Sequence, residues 1–171
     1  MSGPFLIGFS IMPYLVDGYN LSRRSGQFKQ PSSRETDAVV RYLNRFARLK
    51  RTKVTVVFDG FPHDGDRSHA LSSTFDAIKI IYAGADSDAD GRIRKLVASL
   101  KNRAGWIVVS SDRAVYGYAR ASGVRAMRSE EFLQSANALL SQQGKDEVES
   151  TGGEVEYWLK IFGEPKKGTS S

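Results

Sequence analysis

The chain has 171 residues and 40% hydrophobic content, enough for one domain with a sizeable core and too apolar for a disordered chain. It has no cysteine, which excludes a disulfide scaffold, a zinc–thiolate site and cysteine catalysis, and which suits a reducing cytoplasm. The 25 basic residues exceed the 19 acidic ones by enough to leave a net charge of +6, and no stretch approaches the roughly 20 apolar residues of a membrane helix.

Residues 1–11 are mildly apolar without a basic leader segment, and Met12-Pro13-Tyr14 reads as an alternative start. The first strand is expected at about Tyr14–Val16, followed by a polar, Gly/Ser-rich loop over 22–31. Ser32 with Glu35 three residues later is a capping box. It opens a helix to about Lys50 with Val39, Leu43, Phe46 and Ala47 on its buried face. Val54–Phe58 is the second strand, and the stretch from Pro62 to His69 a long surface loop. Ile78–Tyr82 is the third strand, and a helix follows over about Ala89–Lys101. Trp106–Val109 is the fourth strand, Arg113–Ser122 a helix ended by Gly123, and Val124–Met127 a short fifth strand. Ser129 caps a helix to about Gln142. The sequence divides into a domain over 12–142 and a segment over 143–171. That segment holds a polar linker, an amphipathic helix at Glu154–Phe162 and a disordered tail. Strands alternating with helices, and strands that are short continuous apolar runs, read as α/β with a parallel sheet of four to five strands flanked by helices.

Aspartates follow these strands one after another. Asp17 ends Tyr-Leu-Val-Asp-Gly-Tyr-Asn, Asp59 ends Val-Thr-Val-Val-Phe-Asp-Gly, and Asp112 ends Trp-Ile-Val-Val-Ser-Ser-Asp. Asp86, Asp88 and Asp90 follow Ile78–Tyr82. Carboxyl ends of parallel strands share one edge of the sheet, where ligands bind, so these acids are expected to converge. Converging carboxylates repel, and they are tolerated where they hold a hard cation such as Mg²⁺ or Mn²⁺. At Asp17-Gly-Tyr-Asn20, Gly18 is expected to permit a tight turn and Asn20 to orient a water or a phosphate. The same motif is also an ordinary βα turn with an Asx cap.

Asp86-Ser-Asp-Ala-Asp-Gly matches the first half of an EF-hand loop. The match ends there: Val97 stands where a bidentate glutamate is needed, and the preceding segment is strand-like. A strand-to-helix junction fits better, with Asp90 in the first helical turn and Asp86 and Asp88 as outer ligands or caps. Arg34, Arg41, Arg45 and Arg48 recur on one helix, Arg92, Lys95, Lys101 and Arg103 on and after the next, and Arg113 follows Asp112. They suit a phosphate track, or a solvated helix face. Tyr19, Phe61 and Tyr116 lie near strand ends and could stack bases. His63 and His69 fit no zinc spacing and receive no role, and there is no Gly-rich phosphate loop or nucleophile elbow.

Leu15-Val-Asp-Gly-Tyr-Asn, Phe58-Asp-Gly, Ala89-Asp90 with Ile93, Val109-Ser-Ser-Asp112-Arg and Gly123-Val with Ser129-Glu-Glu-Phe together resemble the NYN-domain, PIN-like nucleases, in particular the YacP-like branch. The resemblance spans about 14–140. It implies a PIN-like three-layer fold, an Mg²⁺- or Mn²⁺-dependent site, endoribonuclease activity, and an association with ribosomes and mRNA cleavage. By position, Asp17, Asp90 and Asp112 match the family's acidic ligands, with Asp59 a weaker match and Asn20 a supporting one. Two departures stand out. Ser87-Asp-Ala-Asp replaces the usual Glu-Thr-Ala-Asp, which leaves Asp86 or Asp88 to compensate. Arg94 stands where a further acid is common.

The expected protein is a cytoplasmic metal-dependent endoribonuclease on single-stranded RNA. The alternative is a weakly active or inactive RNA- or ribosome-binding module on the same fold, with Arg94 marking a decayed site. A haloacid-dehalogenase-type phosphatase lacks the required second Asp, since Tyr19 and Phe61 stand two residues after Asp17 and Asp59.

Overall fold

The computed structural model describes residues 11–28, 32–62 and 71–144. Its centre is a six-stranded sheet made of β1 (Tyr14–Asp17), β2 (Val54–Phe58), β3 (Ser72–Phe75), β4 (Ile78–Tyr82), β5 (Ile107–Val109) and β6 (Arg125–Met127). The order is β3-β4-β2-β1-β5-β6, and every pairing is parallel except the antiparallel edge pair β3–β4. The helices are α1 (Gly18–Ser25), α2 (Ser32–Lys50), α3 (Ala89–Ser99), α4 (Arg113–Ala121) and α5, residues 129–144.

Alternation along each strand feeds two cores. Tyr14, Val16, Val54, Val56, Phe58, Ile78 and Val109 pack with α1, α2 and α5 on one face of the sheet. Leu15, Val57, Ile81 and Val108 pack with α3 and α4 on the other. With both faces covered at the centre of the sheet, β1, β2 and β5 are nearly continuous apolar runs. The three-layer architecture therefore agrees with the expected fold class.

The sixth strand is the correction to the expected four to five. Ser72–Phe75 is exposed at every position, so it carries no apolar alternation to read. It joins β4 through a two-residue turn at Asp76-Ala77, where Asp76 adopts φ 50°. The segment 22–31 is also less of a loop than expected, because α1 runs to Ser25. The Asp17 side chain caps α1, Leu21 and Ser22 are buried beneath it, and Gly26 ends it at φ 63°. Other expected elements match to within a few residues; α5 runs two residues past Gln142. The expected loop bearing His63 and His69, the Ser32 side chain, the helix at 154–162 and the tail lie outside the described residues.

From β1 the chain passes to β2 on one side, and it later returns through α3 to β5 on the other. The carboxyl end of β1 is therefore the switch point of the sheet, where neighbouring connections part to opposite faces and leave a crevice.

Gly18 sits at this point, for a different reason from the tight turn expected of it. A Cβ there would lie 2.3 Å from Cε1 of Phe58. That ring is fully buried, with Tyr19 edge-on at 5.2 Å and Tyr82 at 5.7 Å. The glycine lets α1 start directly over the Phe58 ring. Gly18→Ala should therefore lower stability by about 1–3 kcal/mol, despite alanine's better helix propensity. Urea unfolding of the two proteins checks this, and equal or higher stability of the variant would remove the close-approach explanation.

Candidate active site

Asp17, Asn20, Arg23, Asp59, Asp88, Asp90 and Asp112 line one cleft of about 200 Å³ at the switch point. Its five carboxylates come from four places: the ends of β1 and β2, the start of α3, and the start of α4. The convergence expected from the strand-end pattern is thus present for Asp17, Asp59, Asp90, Asp112 and Asn20.

Most of these acids are held by the backbone they terminate. Asp17 Oδ1 accepts from the Asn20 N–H at 3.4 Å, and its Oδ2 from the Ser110 hydroxyl at 3.1 Å. Asp59 Oδ1 accepts from the Ala89 N–H at 2.6 Å, tying the end of β2 to the start of α3. Asp88 caps α3 through the Gly91 N–H at 2.7 Å. Asp112 Oδ1 caps α4 through the N–H groups of Ala114 and Val115, at 2.9 and 3.1 Å. Asp90 has no hydrogen bond or ion pair among the described residues. The structural and the functional readings of these acids hold together: Asp59, Asp88 and Asp112 each commit one carboxylate oxygen and keep the other free of hydrogen bonds among the described residues, whereas both Asp17 oxygens already accept one.

Asn20 is fixed with the same economy. Its Oδ1 accepts from the Ser111 N–H at 2.8 Å and the Ser129 hydroxyl at 2.7 Å. The amide therefore presents Nδ2, a donor, to the cleft it lines. Behind it the Ser111 hydroxyl donates to Glu130 and accepts from the Ser129 N–H at 2.9 Å, so the starts of α1, α4 and α5 share one polar network.

The electrostatics show that the cleft is charged against resistance. Burial is the main cause that pushes the Asp17 carboxyl up to about 6; the bonds from Ser110 and Asn20 pull it down, and the charges of Asp90 and Asp59 push it further up. Asp90 is also raised, by burial first, then by Asp112 and Asp88, and is pulled back by Arg94.

Several expected site residues lie elsewhere. Asp86 is exposed and is not among the cleft residues. Gly84 takes φ 78° and bridges to Gly60, and the turn that follows leaves Asp86 in solvent while Asp88 reaches the cleft. Arg48 pairs with Asp76 at 2.9 Å, beside the turn that precedes β4 and hence at the opposite edge of the sheet. Arg41 lines a separate surface groove with Arg34 and Asp37, and Arg45 is exposed on the same helix. Arg92, Lys95 and Arg113 lie on the helices that start at the cleft, Arg92 half-buried and the other two exposed. Sequence reasoning missed Arg23, the one cation among the cleft-lining residues described. Its signal was the Asp17 cap and the Gly26 stop, which bracket a short helix whose last turn carries Arg23 and Arg24.

The donor set is hard carboxylate oxygen with no described sulfur or imidazole, which suits Mg²⁺ or Mn²⁺. As placed, no three acidic or histidine side chains among the described residues are gathered closely enough to hold one ion. Asp90 is the side chain without a bond to break, and Asp112 lines the same cleft with one carboxylate oxygen free of hydrogen bonds among the described residues.

Residues 14–160 match the sequence model of the family described as YacP-like NYN domain. The chain belongs to that family. The fold agrees with two solved structures. The crystal structure of Rae1 (YacP) from Bacillus subtilis is 22% identical with a TM-score of 0.65, covering 86% of this chain and 88% of that one. The crystal structure of a tryptophan-to-leucine mutant of the same Bacillus subtilis protein is 20% identical with a TM-score of 0.60, covering 92% and 86%. No curated protein matches. Family membership points to an RNase-type function.

The raised Asp17 carboxyl has a consequence for stability. Between pH 3.8, its ordinary value, and about 6, the folded chain binds more protons at Asp17 than the unfolded chain does. Stability therefore falls as pH rises through that window, by at most roughly 3 kcal/mol, and the penalty is complete above it. In EDTA, Asp17→Asn should be more stable than wild type by roughly 1–3 kcal/mol at pH 8 and not at pH 4. Urea midpoints at the two pH values measure this, and a gain that is the same at both would reject burial of the charge as its origin.

Proposed function

We propose that the chain is a divalent-metal-dependent endoribonuclease that hydrolyses single-stranded RNA. The observation that carries this reading is the convergence of five carboxylates on one cleft, with Asp17 and Asp90 kept there despite raised carboxyl pKa values. A fold gains nothing in stability from such crowding, and a bound cation relieves it. Asp17, Asp90 and Asp112 are the residues that would hold the ion, with Asp59 and Asp88 at its margin. Such an ion supplies a nucleophilic water at neutral pH and neutralises charge on the phosphodiester.

The chain's own groups do the rest. Arg23 offers a guanidinium to a phosphate oxygen inside the cleft. Asn20, its oxygen occupied by Ser111 and Ser129, offers Nδ2 to the same phosphate or to the attacking water. The bonds from Asn20 and Ser110 hold Asp17 in one orientation, so no reorganisation is needed when substrate arrives.

The second reading is an RNA- or ribosome-binding module whose site has lost activity, and Arg94 is the observation that favours it. Arg94 is exposed and lies 5.9 Å from the Tyr118 ring centroid, one helical turn beyond Asp90. Its charge opposes the rise at Asp90, but burial, Asp112 and Asp88 all outweigh it. Arg94 thus moderates the negative field at Asp90 without cancelling it.

Cleavage of a labelled single-stranded RNA, and of ribosome-bound mRNA, decides between them. Wild type should cut in Mn²⁺ or Mg²⁺ and not in EDTA, and Asp90→Asn should reduce the rate at least about 100-fold, close to 3 kcal/mol of barrier. No cutting of either substrate, with salt-sensitive RNA binding intact in both proteins, would establish the binding module.

A further inference from the structure

An acidic cleft repels a polyanion, so affinity for RNA must come from cations beside it. The α2 arginines serve this poorly, with Arg48 already paired at the far edge of the sheet. The β6 side of the cleft is better equipped. Tyr116 follows Asp112 by one turn of α4, its N–H bonded to the Asp112 carbonyl at 2.9 Å. The Arg128 guanidinium lies over the Tyr116 ring, 4.6 Å from its centroid, and Arg120 lies 5.9 Å from it. Arg128 directly follows β6, and the Met127 carbonyl accepts from the Ser110 N–H at 3.1 Å, so Arg128 leaves the sheet at the edge that carries the cleft. Both arginines are exposed, and neither forms a salt bridge among the described residues. Two like charges thus share one aromatic ring with no carboxylate in salt-bridge contact among the described residues, although Glu130 lies within the field of Arg128.

We propose that Tyr116 and Arg128 form a nucleobase-stacking subsite for single-stranded RNA beside the acidic cleft, with Arg120 and Arg113 holding the backbone that passes it. The proposal rests on the nuclease reading and deepens it by giving the strand a path along α4 and β6. The guanidinium lies over the ring and Arg128 is exposed, so a base can stack beside it while the adjoining phosphates meet the arginine charges. Stacking tolerates any base, so the subsite selects an unpaired strand over a duplex and not a particular sequence.

The test is equilibrium binding of a fluorescein-labelled single-stranded RNA to the full chain in EDTA, followed by anisotropy across a salt series. Tyr116→Leu should weaken binding about 5- to 100-fold with little change in salt dependence, and Tyr116→Phe should bind within about threefold of wild type. Arg128→Ala should weaken binding and flatten the log–log salt slope by about 0.7. Arg128→Lys should restore the slope without restoring the affinity, because it keeps the charge and loses the plane. Arg128 is exposed, so this last comparison stands even where Tyr116→Leu perturbs folding. Wild-type affinity in both Tyr116→Leu and Arg128→Lys would overturn the subsite, and so would the same loss for inorganic polyphosphate as for RNA. That failure is separate from failure of the nuclease reading, which is decided by cleavage in the Asp90→Asn variant and not by binding.

Discussion

The Asp17 carboxylate is 5% exposed at the end of the central strand, within the fields of Asp59 and Asp90, and the surrounding structure is organised around holding it there. A buried carboxylate must be hydrogen-bonded or neutralised. Ser110 and the Asn20 N–H each supply one bond. Ser110 comes from the end of β5 and Asn20 from α1, so both neighbours of the β1 end are committed to this one side chain. The same requirement shapes the backbone. α1 must begin at once so that Asn20 N–H comes round to Asp17, and it can begin at once only because Gly18 clears the Phe58 ring.

The supporting network extends the constraint across the molecule. Asn20 joins the Ser111 N–H to the Ser129 hydroxyl, and Ser111 joins Glu130 to the start of α5. Glu130 in turn pairs with Arg24 at 3.5 Å, and its carboxyl is held below the ordinary range, chiefly by the Ser111 hydroxyl. The path from Asp17 through α1 to α5 is therefore polar and fully bonded: no buried side-chain polar atom among the described residues lacks a partner. Such a network is satisfied in one geometry only, which is how a site on loop-like junctions acquires the rigidity of the sheet below it.

How much of this was readable in the sequence follows from which forces act locally. β1, β2, β4 and β5 were legible because a strand covered on both faces is a nearly continuous apolar run, and α2 because its buried stripe repeats at helical spacing. The acids at the strand ends were legible because a parallel sheet puts those ends at one edge. β3 was hidden because Ser72–Phe75 is exposed and takes its conformation from pairing with β4, a nonlocal partner. α1 was hidden because its helix rests on a cap, a C-terminal glycine and the burial of Leu21 and Ser22 more than on propensity. The exchange of Asp88 for Asp86 turned on a backbone turn at Gly84 that spacing alone does not report. The arginines of α2 share a helix face with regular spacing, and the pattern carried no information about which edge of the sheet that face reaches.

The distribution of charge follows from the same arrangement. With five acids gathered in one cleft, the rest of the chain is more basic than its net charge of +6 indicates. That excess is not spread evenly around the site. Three of the five acids, Asp59, Asp88 and Asp90, come from the β2 and α3 side, Asp17 ends β1 and Asp112 starts α4, while Arg128, Arg120 and Arg113 stand on the β6 and α4 side, and Arg23 reaches the cleft from α1. A polyanion meets most of the cations on one flank and most of the carboxylates on the other, and the field across the cleft has a direction. Relief of the carboxylate repulsion by a cation would reduce the barrier on the acidic flank and leave the basic flank as the anchor. On such a surface a bound cation would favour RNA binding, and bound RNA the cation, through charge.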